Sequence, residues 1–216
     1  MVKLLPNKRF YYLDKKELDL REYDVSDITD MWAMFSDCEN LTNLNISNWC
    51  TKSAISMNRM FRNCKSLTKL NLSNFNTFEV ITMYEMFENC SSLTFLDIRI
   101  FNTSNVANFS SMFSNCSSLE VLDLSNFDFS NAKHTECMFL GCNSLTDLRF
   151  GQSLKNSLNL SDCPLTHESA LSVINGLAEM NIGECKFVTF NEKTYDTLTD
   201  DDIDMAMDKG WEIYSK

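Results

Sequence analysis

The sequence predicts an α/β fold, a solenoid of five 26-residue strand–helix units with N- and C-terminal caps. Three observations predict it. The first is a fixed period: Met-Phe pairs fall at Met34-Phe35, Met60-Phe61, Met86-Phe87, Met112-Phe113 and Met138-Phe139, and Cys38, Cys64, Cys90, Cys116 and Cys142 keep the same 26-residue step. An uninterrupted period of this length means stacked structural units. The second is the form L-x-x-L-x-L in LTNLNI (41–46), LTKLNL (67–72), LTFLDI (93–98) and LEVLDL (119–124), whose last apolar positions alternate with a polar one as in a short half-buried strand. The third is an apolar stripe such as Met83, Met86, Phe87 and Cys90, spaced i, i+3, i+4, i+7 like one face of a helix.

In chain order, residues 1–17 form the N-terminal cap, with Phe10, Tyr11, Tyr12 and Leu13 over the first unit. The five repeats occupy 18–147, each a strand, a polar turn such as SNFNT, a helix of two or three turns and a return. An aromatic column, Tyr23, Trp49, Phe75, Phe101 and Phe127, follows the strands. One such unit cannot bury its apolar face alone, whereas stacked neighbours can. Residues 148–216 are a C-terminal capping segment with helices and short strands. There Thr166 starts a helix over 165–180 with Leu171, Ile174, Leu177 and Ala178 on its apolar face. KFVTF (186–190) reads as a strand, Thr199 to Gly210 as a capped helix, and WEIY (211–214) as a last strand.

The run Leu-Asp-Leu-Ser-Asn-Phe…Met-Phe…Cys-Ser-Ser-Leu, clearest in 96–127, resembles the leucine-rich repeats, and within them the BspA-like subclass of bacterial surface proteins with relatives in phages and protists. The resemblance covers 18–150. It implies a curved leucine-rich repeat solenoid, a binding or adhesion role, a location at the cell surface or outside the cell, and no catalytic residues. The segment 1–17 lacks the ~7–15-residue apolar stretch of a secretory signal, so a virion component, such as a fibre or decoration protein, is the alternative.

Composition narrows the chemistry. Lys+Arg total 19 against 30 Asp+Glu, a formal charge of -11, which argues against nucleic acid, since such a partner needs a basic face. No apolar run approaches the ~18 residues of a membrane span, so no membrane insertion is expected. The five column cysteines have no histidine column beside them and lack the paired spacing of zinc ligands. They read as buried apolar side chains, which leaves Cys50, Cys137, Cys163 and Cys185 free or paired. The methionines of the stripe (Met31, Met57, Met83 and their neighbours) read as core. Neither His134 nor His167 sits in a nucleophile–base pattern, and TDDDID (199–204) lacks the spaced ligands of a calcium loop. No catalytic residue, metal or cofactor is assigned, and the chain reads as no enzyme.

What remains is the strand face. Residues flanking the inward leucines point to the other side of the sheet and build a lattice of columns at the ~4.8 Å strand spacing. Phe95, Asp97, Arg99, Val121, Asp123, Asn71 and Lys69 are its candidate binding residues, because an exposed aromatic beside an aliphatic and an arginine has hot-spot composition. The expected function is non-enzymatic recognition or adhesion, with this repeat surface meeting a protein or glycan partner. Self-association is left open.

Overall fold

The computed structural model describes residues 2–5, 7–181 and 184–216. Among the described residues ten short strands and three helices follow one another: β1 (Val2–Lys3), β2 (Glu17–Asp19), β3 (Tyr23–Asp24), β4 (Asn43–Asn45), β5 (Phe95–Leu96), β6 (Val121–Asp123), β7 (Asp147–Arg149), β8 (Leu158–Leu160), α1 (His167–Gly176), β9 (Lys186–Phe190), α2 (Glu192–Tyr195), α3 (Asp200–Asp208) and β10 (Trp211–Ser215). All strand pairs are parallel, and they form four separate small sheets: β1-β3, β2-β4, β5-β6-β7 and β10-β9-β8.

This corrects the leucine-rich repeat solenoid of strand–helix units. No helix lies within 18–147, and no continuous sheet joins the units. The apolar stripe is buried as its spacing requires, with Met83, Met86, Phe87 and Cys90 all at 0% exposure, but it follows a chain of tight turns. Met86, Glu88 and Cys90 donate their N–H groups to the carbonyls of Met83, Glu85 and Phe87 at 3.1–3.2 Å, three residues back. The alternate amides of Met83, Glu85, Phe87 and Asn89 leave the segment altogether, bonding to the carbonyls of Asn108, Ser110, Met112 and Ser114 at 2.8–3.0 Å. An α-helix would use all of them on carbonyls four back. The geometry is set by left-handed residues at Glu85 (φ 54°) and Asn89 (φ 59°), repeated at Arg59 and Asn63 and at Ser111 and Asn115. The second of each pair falls in a column of Asp37, Asn63, Asn89, Asn115 and Gly141, residue types that tolerate this region best.

Stacking is held by polar and apolar columns together. Asn63 Nδ2 donates to Asp37 Oδ1 at 2.6 Å, Asn89 to Asn63 at 2.6 Å and Asn115 to Asn89 at 2.9 Å. Inside, the rings of Phe10, Phe35, Phe61, Phe87, Phe113 and Phe139 stack at 5.6–5.8 Å between centroids, each such pair worth about 0.5–1.5 kcal/mol beyond its burial. The column cysteines are buried, and each thiol donates to a phenylalanine carbonyl one unit earlier, as Cys90 Sγ does to Phe61 O at 3.2 Å. Cys163 continues this column after a 21-residue step, buried with its thiol 3.7 Å from Phe139 O. It is therefore a core residue, whereas Cys50, Cys137 and Cys185 are exposed, and all nine cysteines are free thiols.

The sheet break coincides with a gap in the side-chain ladder beside it. Between β4 and β5, residues 69–72 are in no strand, and no backbone hydrogen bond joins them to either neighbour among the described residues. In the flanking turn, Asn74 Nδ2 donates to Ser47 O and Asn126 Nδ2 to Arg99 O. The equivalent residue between them is Ile100, which has no donor to offer the Ser73 carbonyl.

The C-terminal segment carries the expected elements, except that the helix expected over 165–180 spans only His167–Gly176, so Leu177 and Ala178 lie beyond its end. Thr166 accepts from Ser169 N at the start of α1, and Thr199 and Asp202 form a reciprocal capping box on α3. The buried face of α1 is Ala170, Val173 and Ile174, with Leu171 only half-buried. Its serines complete the last repeat strand: Ser169 Oγ accepts from Leu148 N at 2.9 Å and Ser172 Oγ from Phe150 N at 2.8 Å. Helix α2 is a further element that the sequence reading did not contain.

Candidate functional site

The strand-face residues come together only in part. Phe95 is 58% exposed and lies in register with Val121, which pairs in turn with Asp147, while Asp123 pairs with Arg149. Phe95, Asp97, Arg99, Val121 and Asp123 line a hollow of about 190 Å³, and Asn71 shares a separate hollow of about 440 Å³ with Asp97 and Arg99 at the sheet break. Lys69 is exposed and lines neither. The polar groups are already engaged in shaping turns. Asp97 holds Arg99 Nε at 2.9 Å and Nη2 at 2.8 Å, which lowers its pKa. Asn71 Oδ1 accepts from Ser73 N at 3.0 Å, and Asp123 Oδ1 from Ser125 N at 3.0 Å. The continuous curved recognition surface is therefore corrected as well. With the lattice interrupted at 69–72, the recognition or adhesion role that rested on it falls, in both its cell-surface and its virion form.

A different concavity, of about 300 Å³, lies on the turn-rich side near the N-terminal end, lined by Tyr11, Tyr12, Trp32, Ala33, Ser36, Asp37, Arg59 and Arg62. The segment bearing the tyrosines is fixed from below. Phe10 stacks on Phe35 at 5.6 Å, and the amides of Phe10 and Tyr12 bond to the carbonyls of Met34 and Ser36 at 2.7 and 2.9 Å. With Phe10 drawn inward, Tyr11 and Tyr12 project outward, 48% and 71% exposed, in an edge-to-face pair at 5.4 Å. Trp32 follows the buried Met31 and stands 46% exposed, its carbonyl held by Arg9 Nε at 2.7 Å and its N–H by Asp30 Oδ1 at 2.9 Å.

The arginines come from the next unit. Arg59 Nε donates to Glu85 Oε2 at 2.7 Å, and its guanidinium lies over the Tyr84 ring, 5.3 Å from the centroid. Arg62 Nε lies 2.5 Å from Glu88 Oε2 and 3.0 Å from Glu85 Oε2. Burial pushes the Glu85 carboxyl up, but its bonds to Tyr84 and Arg59 and the charge of Arg62 outweigh this and hold it below its ordinary value. Glu85 and Glu88 in turn raise Arg59 and Arg62. Asp37 accepts from Ser36 Oγ at 2.5 Å and from Asn63 Nδ2 at 2.6 Å. Each charge in the wall thus has a fixed partner.

Sequence reasoning placed the tyrosines in a cap and offered none of Trp32, Arg59 and Arg62 as a site residue. The available signal was position: these residues sit just off the apolar stripe, in columns that vary from unit to unit, as Trp32 gives way to Asn58, Tyr84, Ser110 and Glu136. The histidines lie elsewhere. His167 Nε2 is 3.0 Å from Asp202 Oδ2, the capping carboxylate of α3, and His134 Nδ1 is 3.6 Å from Glu136. Among the described residues no group of three or more His, Cys, Asp or Glu side chains is placed to hold a metal ion, and no helix is long and apolar enough to cross a membrane.

Fold and site together define a mixed α/β protein of small separate parallel sheets with an aromatic, charge-paired pocket on its turn side. Two stretches, residues 7–97 and 94–161, match the family described as "Mycoplasma protein of unknown function, DUF285", and the chain belongs to that family. All pocket residues fall within the first stretch. No curated protein matches the chain, and no solved structure does.

Proposed function

We propose that this protein is a non-enzymatic binding domain whose ligand site is the pocket formed by Tyr11, Tyr12, Trp32, Arg59 and Arg62. One observation carries the reading: three outward aromatic rings and two carboxylate-held guanidiniums converge on a single concavity of about 300 Å³. Ligand sites are concave, largely aromatic or apolar, and carry a few fixed polar groups. Tyr, Trp and Arg are also the side chains that dominate binding energy at interfaces. Binding rather than turnover is supported by the state of the polar groups. The arginines are committed to Glu85 and Glu88, Asp37 to Ser36 and Asn63, and no histidine or cysteine lines the pocket to serve as base or nucleophile.

The test is a two-dimensional NMR titration of the intact chain with a small-molecule fragment library. Hits are expected to move the Trp32 indole N–H and the Nε–H resonances of Arg59 and Arg62. Hits that moved only the Phe95–Val121 row, or no resonance near Trp32, would overturn the reading.

A further inference from the structure

We infer, resting on the binding reading above, that the pocket takes a neutral saccharide. The walls select for it in two ways. Tyr11, Tyr12 and Trp32 offer aromatic faces in partial contact with water, and the C–H face of a pyranose ring packs on such a face while its hydroxyls stay available at the edge. The polar groups then give a net charge little advantage. An anion would gain little from guanidiniums whose charge Glu85 and Glu88 already offset through Nε at 2.5–3.0 Å. A cation would lie against Arg59 and Arg62, and Asp37, the carboxylate in the lining, already accepts two hydrogen bonds. A ligand without charge that both donates and accepts hydrogen bonds meets neither obstacle: its hydroxyl oxygens accept from guanidinium N–H groups and its hydroxyl protons reach carboxylate lone pairs. The remainder of the protein agrees in sign, since a formal charge of -11 disfavours approach of polyanions at long range.

The pocket contains its own reporter. Of the three tryptophans, Trp49 and Trp211 are buried and Trp32 is exposed, so collisional quenching by acrylamide reads Trp32. The intact chain is titrated with an array of neutral oligosaccharides, chitobiose and mannobiose among them, and in parallel with benzoate, inorganic phosphate and tetramethylammonium. At least one saccharide is expected to shield Trp32 saturably, and Tyr12→Ala is expected to weaken it tenfold or more while the far-UV circular dichroism is unchanged. The charged probes are expected to leave quenching unaltered. Shielding by a charged probe alone would overturn the saccharide and leave the pocket as a site. Saccharide binding that neither shields Trp32 nor responds to Tyr12→Ala would overturn the inference by placing the sugar elsewhere. No shielding by any probe would overturn both the saccharide and the pocket.

Discussion

Replacing Asn89 separates a chain of left-handed turns from a helix by the order of two variants. Asn89 has φ 59°, donates to Asn63 Oδ1 at 2.6 Å and accepts from Asn115 Nδ2 at 2.9 Å. Asn89→Ala removes both bonds, about 0.5–1.5 kcal/mol each. It also places an ordinary L side chain in a region that costs about 1–2 kcal/mol, for a total of about 2–5 kcal/mol. Asn89→Gly loses the same bonds but sits at positive φ without steric penalty; its greater freedom in the unfolded chain returns part of that advantage, about 0.5–1 kcal/mol. Glycine is therefore expected to be the less damaging of the two. In a helix interior the order is reversed, with alanine better by about 1 kcal/mol. Urea unfolding of the wild type and both variants at one pH reads the difference, provided the slope m is unchanged. An Asn89→Ala protein more stable than Asn89→Gly would refute the turn geometry and restore a helix at 83–90.

Three further outcomes follow from the same structure. Ile100→Asn should restore the missing donor to Ser73 O and add about 0.5–1.5 kcal/mol of stability, read by thermal unfolding; a destabilised variant would show that the break at 69–72 has another cause. Iodoacetamide on the native protein should label Cys50, Cys137 and Cys185 quickly and the six buried thiols slowly, as intact mass would count; fast labelling of Cys163 would remove it from the core column. The Asp202 carboxyl has its pKa lowered to about 2 by the Thr199 amide, His167 and the Thr199 hydroxyl, against an ordinary 3.8. Because its folded pKa is depressed, it contributes stability above pH 3.8 that is lost as pH falls toward 2. Asp202→Asn should flatten the stability profile across that window, and an unchanged slope would count against the clasp between His167 and α3.

The repeat columns were legible because burial imposes them: Met34, Phe35, Cys38 and Leu41 are all fully buried. Their spacing did not reveal the backbone that carries them, since i, i+3, i+4, i+7 fits both a helix and this series of three-residue turns. The Asp37, Asn63, Asn89, Asn115 and Gly141 column held that information, because residues tolerant of positive φ recurring every 26 positions argue against a helix. Caps at Thr166 and Thr199 were readable because their side-chain bonds are local. The missing bond at Ile100 was not, because the carbonyl it leaves without a side-chain donor is that of Ser73, one unit away. The pocket was hidden for a similar reason: Tyr12, Trp32 and Arg62 meet only when a segment outside the repeats is laid against the first two units.

The proposed site places ligand binding in the turn-side pocket and not on the strand face. The most direct measurement compares Trp32→Ala with Phe95→Ala, by calorimetric titration of one ligand against both variants. Trp32→Ala is expected to lose affinity tenfold or more, about 1.4 kcal/mol or greater, with Phe95→Ala indistinguishable from wild type. Loss on Phe95→Ala with full affinity retained in Trp32→Ala would contradict it.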